Sequence, residues 1–179
     1  MVEQARLVET RFGLVPESDG WFVLGLLEAA WARNEAFGTH CLFDLDDMFR
    51  DMGLKIVVLA PGQPNGLYHR EKNQEDFLVL QGEALLLVEG EERPLKAWDF
   101  VHCPPDTEHI FVGAGDGPCV ILMVGTRTSP EIFYPRSELA LRHGAGVETE
   151  TPSADEAYAA WPAWGPGRPE TDGMPWGRR

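Results

Sequence analysis

The sequence predicts an all-β domain with few, short helices, and three observations carry that reading. Short segments rich in β-branched, aromatic and leucine side chains recur between residues 21 and 125. They are spaced about 8–12 residues apart, as strands in sandwiches and barrels are. The links between them are made of turn formers: PGQPNG, LQGE, VEGEE, CPPDTE and GAGDGP.

Taken in order, WFVLGLL from Trp21 reads as the first strand. DLDDMFRDMG reads as a short helix, with Asp44 as N-cap, Leu45, Met48, Phe49 and Met52 on one face, and Gly53 as its stop. KIVVL, DFLVL, ALLLV, DFVHC, HIFVG and CVILMVG follow as strands. GAGDG lacks both the spacing and the following helix of a phosphate loop, so a hairpin turn is expected there. SADE at 153–156 is a capping box for a short helix through Ala160. The composition changes near Ser137, and the closing AWGPGRPETDGMPWGRR is too rich in Pro and Gly for regular structure. Trp164 and Trp176 within it, and Trp161 just before it, are costly to leave in water. The chain therefore divides into an N-terminal addition over 1–53, a barrel core over 54–136 and an arm over 137–179, which lies on the barrel or on a partner subunit.

A net charge of −14 argues against nucleic acid and anionic membranes, since both require clustered Lys and Arg. No apolar run approaches the roughly 20 residues of a membrane span, and the N-terminus shows no signal sequence, so a cytoplasmic protein is expected. Cys41, Cys103 and Cys119 are odd in number and lack CxxC spacing, which suits small buried side chains better than a disulfide or a thiolate zinc site.

Chemistry concentrates in two places. In Tyr68-His69-Arg70-Glu71, residues 69 and 71 share one side of an extended chain, and Glu75 starts the strand whose same face carries Phe77 and Val79. Most charge runs of this kind are solvated turns, but FLVL draws Glu75 towards the core rim, where a carboxylate needs a cation or a donor. The second place is the turn His102-Cys103-Pro104-Pro105-Asp106-Thr107-Glu108-His109, with His109 opening the next strand.

Together these stretches resemble the cupin superfamily, in its single-domain form, across Pro61 to Gly125. His69, Glu75 and Gly82 fit the family's first motif, and Pro104 and His109 fit the second. Glu71 stands where the family usually has its second histidine, Gly62 lies one residue too far from His69, Ala97 and Trp98 precede Asp99 where Gly-Asp is usual, Asp106 replaces a glycine and Gly113 replaces an asparagine. The resemblance implies a double-stranded β-helix (jelly-roll) barrel with one divalent transition metal per chain, held by His69, Glu71, Glu75 and His109. Such nitrogen and oxygen donors suit Mn, Fe, Zn, Co or Ni alike. If Glu71 stays off the metal, the set reduces to two histidines and one carboxylate. Parity places Phe77, Phe111 and Met123 on the pocket wall, which fits a small organic ligand. A small-molecule metalloenzyme, oxygenase or isomerase, is the leading expectation, with Glu71 or Glu75 as base if displaced from the metal. A non-catalytic ligand or metal sensor is the alternative. Strands apolar on both parities need cover, and a homodimer is expected to supply part of it.

Overall fold

A computed structural model of the chain describes residues 1–44, 48–168 and 171–177. Its strands are β1 (Leu7–Thr10), β2 (Gly13–Pro16), β3 (Ala30–Asn34), β4 (Gly38–Leu42), β5 (Met52–Leu59), β6 (Arg70–Glu71), β7 (Glu75–Gln81), β8 (Glu83–Val88), β9 (Glu91–Lys96), β10 (Phe100–Cys103), β11 (His109–Ala114), β12 (Cys119–Thr126), β13 (Ile132–Phe133) and β14 (Gly165–Pro166). Helices α1 (Glu138–Arg142) and α2 (Ala154–Tyr158) lie between β13 and β14. The order β10-β7-β12-β5-β4-β3-β14 makes a seven-stranded antiparallel sheet, and β11-β8-β9 makes a three-stranded one.

Period-two alternation decides which residues meet. Val57, Leu59, Phe77, Val79 and Ile121 of the large sheet pack against Leu86 and Phe111 of the small one, closing a double-stranded β-helix core. The opposite face of the large sheet presents Trp31, Cys41, Ile56, Val58 and Val120, and Met174 and Trp176 cover it. Strands buried on both faces read as unbroken apolar runs, which is why KIVVL and CVILM show little alternation. Three tryptophans from beyond residue 160 pack on the same chain, with ring centres of Trp176 5.7 Å from Trp31, Trp161 4.9 Å from Phe37 and Trp164 4.1 Å from the His40 ring. Within this segment Gly165–Pro166 forms an edge strand on β3, where proline's missing donor faces outwards, so part of the tail is regular after all.

Four expectations are corrected. WFVLGLL is not a strand: only Trp21 bridges, to Gln4, because Glu28 and Ala29 both donate to the Gly25 carbonyl and turn the chain, delaying the strand to Ala30. Of the helix expected at 44–53, residues 45–47 lie outside the described residues, 48–51 are not helical and Met52 and Gly53 open β5. There, pairing of Met52 with Thr126 and Gly53 with Gly125 outweighs local periodicity. GAGDG is no hairpin, because the strands it joins belong to different sheets. Finally, α2 stops at Tyr158, two residues short of Ala160, although Ser153 caps it as expected by accepting from Glu156 N at 3.3 Å.

Gly113 positions the site. A side chain there would sit 2.2 Å from the Ala60 carbonyl oxygen, so only glycine lets residues 60–65 lie against β11. Gly62 N then donates to Gly113 O at 2.7 Å, and Pro64 bridges Val112, laying the following residues along the strand that begins with His109.

Candidate metal centre

That alignment puts His69 directly opposite His109. His109 N donates to His69 O at 2.9 Å, and His69 N donates to His109 O at 3.2 Å. Glu71, two residues along the same extended stretch, shares the side of His69. Glu75 begins β7 opposite Cys103 on one flank and Gly125 on the other, on the inward face of Phe77 and Val79. Donor atoms of His69, Glu75 and His109 all lie within 4.8 Å of one another. Glu71 adjoins the group through His69, with Oε1 3.4 Å from Nε2, and Glu75 Oε2 lies 3.4 Å from His109 Nε2.

Each imidazole is held in the tautomer a metal needs. His69 Nδ1 lies 2.7 Å from the Leu67 carbonyl oxygen, and His109 Nδ1 lies 3.0 Å from that of Thr107. A carbonyl only accepts, so both Nδ1 atoms carry hydrogen, and in the neutral rings both Nε2 lone pairs face the carboxylates. This donor set, two imidazole nitrogens with anionic oxygens converging on them, fits a divalent transition ion.

The four titratable groups are driven apart. Burial raises the Glu75 carboxyl to about 7, and the neighbouring Glu71 charge adds to it. Burial acts the same way on Glu71, but its bond and charge interaction with His69 prevail and bring it down to about 2. His69 is pulled down by burial and lifted more by Glu71 and Glu75, so it ends above the ordinary value. His109 falls to about 4 through burial and the charge of His69. Pairs of groups separated in this way are what acid–base chemistry and metal binding both draw on.

A cavity of about 780 Å³ opens beside the group, and Glu71, Glu75 and Met123 stand on its wall. Phe77 and Phe111 do not: they are buried behind His109, with ring centres 5.2 and 6.2 Å from its own, because the inward face of β7 and β11 runs on from the site into the core. Cys103 packs in that core, where burial pushes its thiol up to about 12. His102, on the other face of β10, stands exposed beside Asp76, with Nδ1 2.7 Å from its Oδ1.

The sequence matches the family model of the cupin domain over residues 55–125. Residues 55–125 are a cupin domain. Among solved structures, a sugar phosphate isomerase of the cupin superfamily from Silicibacter pomeroyi is similar at 30% identity, with 46% of this chain and 54% of that one covered and a TM-score of 0.43. The chain therefore spans about half the length of that relative. A cupin 2 domain-containing protein from Halorhodospira halophila matches at 20% identity over 53% of this chain and 65% of its own, with a TM-score of 0.45. The polyketide cyclase RemF from Streptomyces resistomycificus shares the fold at 18% identity, covering 63% of this chain and 83% of that one, with a TM-score of 0.54. No curated protein matches the chain.

At two positions where the resemblance leads one to expect glycine, this domain has other residues in a backbone region that favours glycine. Trp98 and Asp106 hold φ angles of 74° and 72°, in the left-handed region. These two turns thus take the left-handed backbone that favours glycine without a glycine in it.

Sequence reading missed several residues around the centre. Asn73, buried, donates to Glu71 Oε2 at 3.2 Å and to Ser129 O at 2.8 Å, and its Oδ1 accepts from the backbone N–H groups of Thr128 and Ser129, tying Glu71 to the end of the barrel. Tyr134 places its ring 5.8 Å from that of His69. Tyr158 of α2 accepts from Leu67 N at 2.9 Å and so fixes the peptide whose carbonyl orients His69. Lys55 could have been found, since it lies in phase with Val57 and Leu59 on the inward face of β5.

Proposed function

We propose that the cupin domain holds one divalent transition metal between His69, Glu75 and His109, with Glu71 as the fourth donor. We read it as a small-molecule metalloenzyme of the isomerase or oxygenase type. The observation that carries this is the convergence of three donor atoms within 4.8 Å, with both imidazoles turned Nε2-inwards by backbone carbonyls. A divalent ion at these residues would supply Lewis-acid polarisation or one-electron chemistry. Glu71 and Glu75 both stand on the cavity wall, and Glu75, whose carboxyl burial raises to about 7, is the better placed of the two to hold or pass a proton when it is not occupied as a ligand. Leu42, Leu54 and Met123 give the cavity apolar surface suited to a small organic molecule.

Elemental analysis of chain purified without chelator or nickel affinity tests the metal reading: about one transition ion per chain is expected, and absence of metal after incubation with Mn, Fe, Co, Ni and Zn overturns it. Turnover of a bound organic ligand then separates an enzyme from a sensor, which binds without product. A homodimer belongs to the same reading, supported by Trp98 and Phe100, which stand 74% and 64% exposed at the β10 edge of the large sheet. A monomer in solution scattering refutes it. A cytoplasmic address is likewise supported by three free thiols, and fractionation of cells checks it.

A further inference from the structure

The cavity beside the metal group carries more charge than the metal ligands account for. Its lining holds three carboxylates, Asp44, Glu71 and Glu75, and three cations, Arg50, Lys55 and Arg127. Arg127 is engaged, donating to Asp44 Oδ2 at 3.0 Å and to the Phe49 carbonyl at 2.6 Å. Arg50 is exposed at the rim. Lys55 differs from both: it is half-buried on the inward face of β5, between Leu42 and Met123 on the neighbouring strands, and makes no hydrogen bond or ion pair among the described residues.

Without metal, an ammonium in this place offsets Glu71 and Glu75, whose charges it feels. A divalent ion removes that role. With Glu71 and Glu75 both ionised, as ligation of a metal requires, the described lining carries three negative and three positive groups, and the ion makes it doubly positive, in a chain whose net charge is −14. A half-buried ammonium left without a counter-charge is an anion site, because the low local dielectric strengthens its pairing with an oxyanion.

We infer that Lys55 is the anion-recognising residue of this cavity, and that the molecule taken up there is a small organic anion with an oxyanion headgroup on an apolar body. The inference rests on the metal reading above. Leu42, Leu54 and Met123 receive the body, Lys55 pairs with the headgroup, and the metal group lies within reach of the same cavity through Glu71 and Glu75.

Calorimetric titration of the metal-loaded chain with mandelate, phenyl phosphate and the neutral mandelamide tests it, in the parent, Lys55→Met and Lys55→Arg. At least one anion should bind in preference to mandelamide, the tighter one naming the headgroup as carboxylate or phosphate. Lys55→Met should weaken that binding at least about tenfold, and Lys55→Arg should keep most of it. Metal affinity should move the other way: with a like charge removed, Lys55→Met should hold the ion about twofold tighter or better. Anion binding unchanged in Lys55→Met, or mandelamide binding as tightly as mandelate, overturns the inference. So does a Lys55→Met chain that loses metal and anion together, the mark of a structural lysine. If the parent takes up no metal, the metal reading fails separately, and anion binding by the metal-free chain that does not depend on Lys55 overturns the inference as well.

Discussion

His69 and His109 face one another across one pair of backbone hydrogen bonds, yet the molecule holds them by different means. His109 opens a six-residue strand, is only 3% exposed and has Phe77 and Phe111 behind its ring. His69 lies outside the regular strands, ahead of a two-residue one, with its ring beside Tyr134 and its preceding turn fixed by Tyr158, 91 residues on from Leu67. One donor is an extension of the barrel core. The other depends on the C-terminal segment. The two also carry opposite electrostatics, because Glu71 bonds His69 while His109 faces a Glu75 whose charge is suppressed by burial.

The contrast can be broken most directly at the core side. His109→Ala should reduce metal content to near zero while circular dichroism still reports the strands, since β11 keeps its pairing with β8 through six register pairs. Unchanged metal content by elemental analysis would sink the assignment. A smaller effect is expected at Glu71, where Glu71→Gln keeps shape and removes charge: metal affinity should fall at least about tenfold. Glu71→His should retain the ion. If both bind as the parent does, the metal site reduces to His69, Glu75 and His109.

The other side is sharpened at a distance. Tyr158→Phe leaves the buried Leu67 N–H without its acceptor and should cost about 1–3 kcal/mol of stability in chemical denaturation. Because Leu67 O orients His69, metal affinity should also fall, by less than in Glu71→Gln, while Phe37→Leu nearby should lower stability without that loss of affinity. Equal effects of the two variants on metal binding would remove Tyr158 from the site.

The smallest effect is in proton titration. In metal-free protein, ring-proton NMR should show His109 titrating near 4 and His69 above 6.5. Glu75, raised from 4.5 to about 7, favours the folded metal-free chain while protonated, so this contribution is full below 4.5 and is lost as pH rises through about 7. His109 acts in the opposite sense: its neutral ring contributes above 6.5, and that is lost as pH falls through about 4. Metal requires the Glu75 carboxylate, so uptake by the folded chain should strengthen as pH rises and level off above about 7. Both histidines titrating together would show that their surroundings do not differ as described.

What could be read without coordinates was local. The strands from KIVVL to CVILMVG, the shared side of His69 and Glu71, the inward face of Glu75, Phe77 and Val79, and the cap at Ser153 all follow from periods of two or from a four-residue pattern, and the structure has each of them. Two positions that depart from the motif's glycines, Trp98 and Asp106, hold a positive φ in the structure, which the residue types alone did not indicate. Tertiary structure decided everything that joins distant segments. Residues 44–53 had helical periodicity, but pairing with β12 drew Met52 and Gly53 into β5, and the Asp44 carboxylate closed on Arg127, 83 residues away. Asn73 read as one polar residue in a charged turn, and only the fold shows its amide bridging Glu71 and Ser129. The reason is physical: a strand's alternation says which side a residue takes, whereas the partner on that side is set by sheet order and by which sheet each strand joins, and those are properties of the whole chain.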